Sequence, residues 1–169
     1  MRCARRGQIG WSGAPFYGTD LPEAAPHLDL FDVIQVAYSV LDQRQVRVLP
    51  LARAKNVGVV ARSVLLKGVL TTRGDHLPAH LAWLRNRSRR FRFRLRETGV
   101  DVTPAQGAIA FALAQPLIDT VLVGASSQAE LTEDLGALDV HLTPQVLAAW
   151  QSLAVDDAAL LNPSTWGIP

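Results

Sequence analysis

The residues with most chemical promise are Gly124-Ala125-Ser126-Ser127, which stand between an unbroken apolar run, Val121-Leu122-Val123, and a segment with Leu131, Leu135 and Leu138 at helical spacing. That order reads as strand, tight polar turn and helix. Gly124 lets a backbone approach a ligand, the two serines can cap the helix, and the free N–H groups at its start favour an anion. Phosphate is therefore the first ligand to consider. A second loop, Arg62 to Gly68, follows another apolar run and carries Arg62 and Lys67 with a closing glycine. Against the phosphate reading stands a plainer one, in which such serines only satisfy backbone groups at a strand end.

Other chemistries find less support. The single Cys3 excludes an internal disulfide framework and a cysteine-based zinc site. His76 and His80 stand four apart beside Pro78, with no third ligand nearby, so no metal site is expected. The net charge of +2 conceals a cluster: Arg85, Arg87, Arg89, Arg90, Arg92, Arg94 and Arg96 are seven of the 17 basic residues, leaving 10 against 15 acidic ones elsewhere. With Phe91 and Phe93 interleaved, this run has the composition of a nucleic-acid contact, but a solvated helix face is the commoner outcome and the one expected. No apolar run approaches the roughly 18 residues of a spanning helix, and the first residues lack a secretory apolar block. A cytoplasmic location is the default expectation, without membrane partners.

The chain's 169 residues, 49% of them hydrophobic, suit one domain with a sizeable core. Gln8 to Ser12 is a strand candidate closed by Gly13-Ala14-Pro15, and Asp32 to Tyr38 is a second strand, apolar except for Gln35. A helix begins near Pro50 and stops at Asn56 and Gly58; Val57 to Ala61 is the third strand. In the arginine-rich segment Arg90 to Arg96 alternates like a strand, while Leu81, Leu84, Ser88, Phe91 and Leu95 recur at three and four, and this longer pattern predicts a helix ended by Gly99. Thr103-Pro104 opens another helix with Ile109 and Leu113 inward, closed by Pro116. Residues 118 to 138 supply the fourth strand and its helix. Thr143-Pro144 starts a last helix with Val146, Leu147 and Trp150, and the tail to Trp166 packs on the body. Trp11, Trp83, Trp150 and Trp166 are expected as core or edge packing, and Tyr38 as packing at a strand end.

Four strands, each followed by a helical connection, are βα units, which require a parallel sheet. They make either a small open sheet or half of an eight-stranded barrel. In the barrel, phosphate sites gather after strands seven and eight, which fits loops 62 to 68 and 124 to 127 if they follow those strands.

In these segments the sequence resembles the C-terminal half of an aldo-keto reductase. Ile9-Gly10-Trp11-Ser12-Gly13 is similar to that family's fifth strand, Asp32 to Ser39 to its sixth, and Val59 to Leu65 to its seventh. Val123 to Ser127, continuing through Leu131-Thr132-Glu133-Asp134-Leu135, resembles its eighth strand and cofactor helix. The resemblance covers most of residues 7 to 140 in the right order, and implies a partial (β/α)8 barrel equivalent to strands five to eight. It also implies NADPH-dependent reduction of a small carbonyl substrate. By the same resemblance Ser12 and Gln35 hold the nicotinamide carboxamide, and Gly13 stands where the family often has an asparagine. Arg62 lies beside the nicotinamide ring, while Ser63, Leu65 and Lys67 follow the diphosphate. Gly124, Ala125 and Ser126, with Ser127 next to them, approach the adenosine phosphate; Glu133 and Asp134 face the adenine. Glu130 falls where many members carry Arg or Gln against the 2′-phosphate, and a carboxylate repels that group, so NADH stands as the alternative cofactor.

The family's proton-donating tyrosine and its lysine, aspartate and histidine belong to the first half of its barrel. Tyr17 and Tyr38 lack the family context, and Lys55 and Lys67 lie in later segments, so no catalytic residue is assigned. The leading expectation is an aldo-keto reductase represented by its cofactor-binding half, through a truncated gene or a split one. The alternative is a non-catalytic half-barrel, a degenerate remnant or an assembly module. Half a barrel has two open sheet edges, which predicts a homodimer.

Overall fold

The structure, a computed structural model, describes residues 7–16, 28 and 30–168. Its centre is a parallel sheet of four strands in the order β1-β2-β3-β4: β1 Gly13–Pro15, β2 Val33–Ala37, β3 Gly58–Arg62 and β4 Thr120–Val121. Val33 pairs with Gly13 on one side and Gly58 on the other, and Ala61 pairs with Val121. Consecutive strands being spatial neighbours and all parallel, each connection must cross back over the sheet.

The crossover from β2 to β3 carries the helix α1 Leu49–Ala54 and that from β3 to β4 carries α2 Ala82–Glu97 and α3 Pro104–Leu113, while α4 Gln128–Leu135 and α5 Pro144–Gln151 follow β4. Pro50 sits in the first turn of α1, where its missing N–H is not needed. Thr103 and Gln106 form a reciprocal cap on α3, the Gln106 N–H donating to Thr103 Oγ1 at 3.2 Å and the Thr103 N–H to Gln106 Oε1 at 3.0 Å. Such a cap contributes about 1 kcal/mol.

The arginine-rich segment is helical, as the longer period predicts: Leu84, Ser88, Phe91 and Leu95 are buried along one side of α2. Phe91 meets Trp150 edge-on at 5.4 Å, while Tyr38 stacks on Phe111 at 5.6 Å, tying α2, α5, α3 and the end of β2 into one apolar cluster. Leu153, Val155, Leu161 and Trp166 extend it, so the tail is part of the body. A smaller cluster of Ile34, Val36, Leu49, Ala52 and Val59 lies under α1. At the start of β4, Asp119 accepts the Val59 N–H at 2.8 Å and pairs with Arg53 at 3.1 Å, clamping β4 onto β3.

Several expectations need correction. The first strand is Gly13–Pro15 rather than Gln8 to Ser12, the residues expected to close it being the ones that pair. Gly13 is required there, since an added Cβ would lie 2.7 Å from the Val33 carbonyl oxygen. Pro15 fits because β1 is an edge strand. β4 is only two residues long, and Leu122 and Val123 beyond it are exposed. Leu113 is 40% exposed and Trp11 81% exposed, neither in the core. Nor is the arginine cluster wholly solvated: Arg92 is buried against Asp75 at 2.6 Å and the Thr71 carbonyl at 2.9 Å.

Candidate functional site

At the C-terminal ends of β3 and β4 the chain opens a cleft of about 700 Å³. One wall is the loop leaving β3, Ser63 to Gly68; the other is Leu122, Val123 and Gly124 leaving β4, with Glu130, Glu133 and Asp134 from α4. In parallel α/β sheets ligands sit at this end, where loops diverge from the strands.

The loop after β3 is wound unusually tightly. Ser63, Leu66 and Lys67 all have positive φ, at 59°, 48° and 53°, followed by Gly68 at 80°. For a residue with a side chain that conformation costs roughly 1–3 kcal/mol and persists only where the surroundings enforce it. Val64 and Leu66 do so by burial, and the Leu66 N–H donating to the Ser63 carbonyl at 2.9 Å closes the turn. Lys67 is thereby left exposed, with Nζ reaching the Ile168 carbonyl at 3.1 Å.

The opposite wall holds its own anion. Ser127 caps α4, its hydroxyl accepting the Glu130 N–H at 3.1 Å. Glu130 turns back, and its Oε2 accepts both the N–H and the hydroxyl of Ser126 at 2.7 Å, while Oε1 ion-pairs with Arg73. Hydrogen bonds from the Ser126 N–H and hydroxyl, helped by the Arg73 charge, hold the Glu130 carboxyl below its usual pKa. The anion expected at this turn is thus supplied by the protein itself. Asp134 behaves oppositely: burial, then the neighbouring charges of Glu133 and Glu130, push its carboxyl up. Three carboxylates, Glu130, Glu133 and Asp134, thus line the cleft together with Arg73 and Lys67.

Of the residues singled out in the sequence, Ser63, Leu65, Lys67, Gly124, Glu130, Glu133 and Asp134 line this one cleft. Ser126 is joined to it through Glu130, with Ala125 and Ser127 next along the chain. Ser12, Gly13 and Gln35 do not line it. Ser12 donates from N–H and hydroxyl to Asp32 Oδ2 at 2.7 and 3.0 Å, a strand-end bond of the plainer kind. Arg62 ends β3 on a neighbouring cleft of about 720 Å³ that shares Ser63 and Lys67, its Nη2 bonded to the Phe16 carbonyl at 3.1 Å. Tyr38 is buried, and loss of hydration raises its pKa, against a smaller lowering by the hydrogen bond with Gln115. Among the described residues no cluster of three or more His, Cys, Asp or Glu is placed to hold a metal, and no helix is long and apolar enough to cross a membrane.

Sequence reasoning missed Arg73, Thr71, Thr72 and Thr103 on the cleft wall. Thr71-Thr72-Arg73-Gly74 is a polar run ending on glycine soon after Gly68, but local spacing gives no sign that it folds back toward α4.

The sequence model of the Aldo/keto reductase family matches residues 8–155. The chain belongs to the aldo/keto reductase family. It is 27% identical over 132 residues to an uncharacterized oxidoreductase, YqkF, of Bacillus subtilis (strain 168), an alignment covering 73% of this chain and 43% of that protein. Among solved structures it is similar to the aldo-keto reductase AKR11C1 from Bacillus halodurans. The apo form gives a TM-score of 0.76 at 25% identity, covering 92% of this chain and 55% of that one. The holo form gives 0.72 at 23% identity, covering 92% and 54%. The chain spans about half the length of the relatives it matches, so this aldo/keto reductase chain is a partial (β/α)8 barrel, and NAD(P)H is its family's general cofactor class.

Proposed function

We propose that this chain grips a nicotinamide dinucleotide as the cofactor-binding part of a carbonyl reductase. The observation that carries the reading is the convergence of the Ser63 to Gly68 loop and the β4–α4 turn on one cleft at the C-terminal end of the sheet. Lys67 supplies a point charge for diphosphate oxygens, carried on a left-handed turn that lines the cleft. Asp134 and Glu133 stand at the adenine end. When bound, the reduced nicotinamide supplies hydride to a carbonyl carbon of a small substrate.

The site fits a dinucleotide without a 2′-phosphate better than one that carries it. Ser126 already donates twice to Glu130, and Arg73 is engaged by the same carboxylate. A further phosphate would face three carboxylates and would have to break those bonds. NADH is therefore the preferred ligand in this reading, and NADPH the weaker one. No proton donor is assigned: Tyr38 is buried, and Tyr17 lies outside the described residues.

The self-filled turn also favours the second reading, a half-barrel without catalytic duty. Titration of the full chain with NADH, followed by nicotinamide fluorescence, separates them. Saturable binding that is weaker for NADPH supports the first; no binding of either dinucleotide at millimolar concentration leaves only the second.

A further inference from the structure

Most of the large apolar side chains left exposed lie at the two edges of the sheet. Near β1 are Ile9, Trp11 and Leu30; near β4 are Leu122 and Val123, with Leu131, Leu135 and Leu138 on α4 and the turn after it. Leu131, Leu135 and Leu138 are 46%, 55% and 63% exposed although they have the spacing of a packing face. Among the described residues no strand pairs with the outer side of β1 or of β4.

The two edges are not equivalent. In a parallel sheet one outer edge is the complement of the other, so a β4 edge is continued by a strand presenting a β1-type edge, running the same way. A second copy of this chain presents such an edge. Two copies give eight parallel strands, the number that closes into a barrel. Each copy spans 55% of the barrel protein it superposes on, which leaves room for about one more.

We propose that a second copy of this chain covers both edges: β4 and α4 of each protomer pack on the β1 edge of its partner, so that two half-barrels close on one another. Both contacts are alike by the twofold axis, and each joins an α4 face to a Trp11 face. Closure removes both open edges and buries both apolar patches at once. A head-to-tail contact that failed to close would instead grow into an open polymer.

The test uses two charged variants at exposed positions outside the cleft, Trp11→Glu and Leu135→Lys, measured by sedimentation velocity across micromolar concentrations with circular dichroism as the check on folding. Wild-type protein is expected at twice the 18.3 kDa chain mass. Each variant alone places its charge in both contacts, and is expected to shift to monomer by at least tenfold in dissociation constant. An equimolar mixture of the two variants should restore the dimer, because one contact is then wild-type and the other pairs opposite charges. A wild-type monomer throughout the range overturns the proposal, as does a polymer that lengthens with concentration. So does a dimer insensitive to Trp11→Glu, which would place α4 against α4. Wild-type protein that stays monomeric alone and associates only with a different chain of strand–helix units gives the edge to that partner and overturns the second copy.

Discussion

At Glu130 one carboxylate closes the start of α4, satisfies Ser126 twice and draws Arg73 across the cleft mouth. Glu130→Gln removes the charge while keeping most of the shape, and is expected to improve NADPH affinity relative to NADH by about tenfold, the scale of one charge-assisted hydrogen bond; parallel titrations of both dinucleotides check it. The two perturbed carboxyls on α4 also predict opposite pH signatures. Glu130 has a folded pKa below the unfolded one, so its contribution to stability is full above the ordinary carboxylate range and disappears as pH falls through the lowered value. The melting deficit of Glu130→Gln should therefore be largest at neutral pH and shrink in acid. Asp134 has a raised pKa, so its ionised form costs stability at neutral pH, and protonation relieves that cost as pH falls. Asp134→Asn should raise Tm at pH 7, the gain closing near about pH 4. Melting curves of both variants at the two pH values check the signs together.

Among the elements, α2 shows most clearly how period decides structure. Phe91 is fully buried against Trp150, whereas Phe93, two positions on, is 53% exposed. Phe91→Ala should cost about 3–5 kcal/mol and Phe93→Ala less than about 0.5 kcal/mol in chemical denaturation; equal losses would contradict a helix with one packed side. The short turn at residues 72–76 docks on α2 at Gly74, where an added Cβ would collide with Ser88 Oγ and the Val69 carbonyl oxygen. Gly74→Ala is expected to destabilise by about 1–3 kcal/mol and, by displacing Arg73, to loosen the Glu130 pair; thermal denaturation reads the first effect.

These elements also show where the sequence is informative and where it is not. Caps at Thr103, Ser127 and Thr143, the buried period of α2 and the strand runs at 33–37 and 58–62 are local, and local chemistry announces them. The first strand falls on residues that read as a turn, because the tolerance of Gly13 and Pro15 depends on an edge position and a close approach to Val33 that no local pattern records. Leu131 and Leu135 announce a packing face, but spacing alone cannot say whether its partner lies in the same chain. Arg73 is placed by its long-range pair with Glu130, in a segment whose own pattern is that of a plain polar loop, and Arg92 by contacts with Asp75 and Thr71 that the period of α2 does not record.

On the scale of the whole molecule, the chain is about half an aldo/keto reductase barrel whose loops after β3 and β4 line one cleft. We propose that this cleft receives a nicotinamide dinucleotide. Amide chemical shifts of isotope-labelled protein, followed by NMR as NADH is added, test that claim residue by residue. The expected result is saturable movement of Ser63 to Gly68 and Leu122 to Gly124, with Gly99 and the exposed arginines of α2 unmoved. An unchanged spectrum at millimolar NADH, or movement centred on α2 while the two loops stay still, would contradict it.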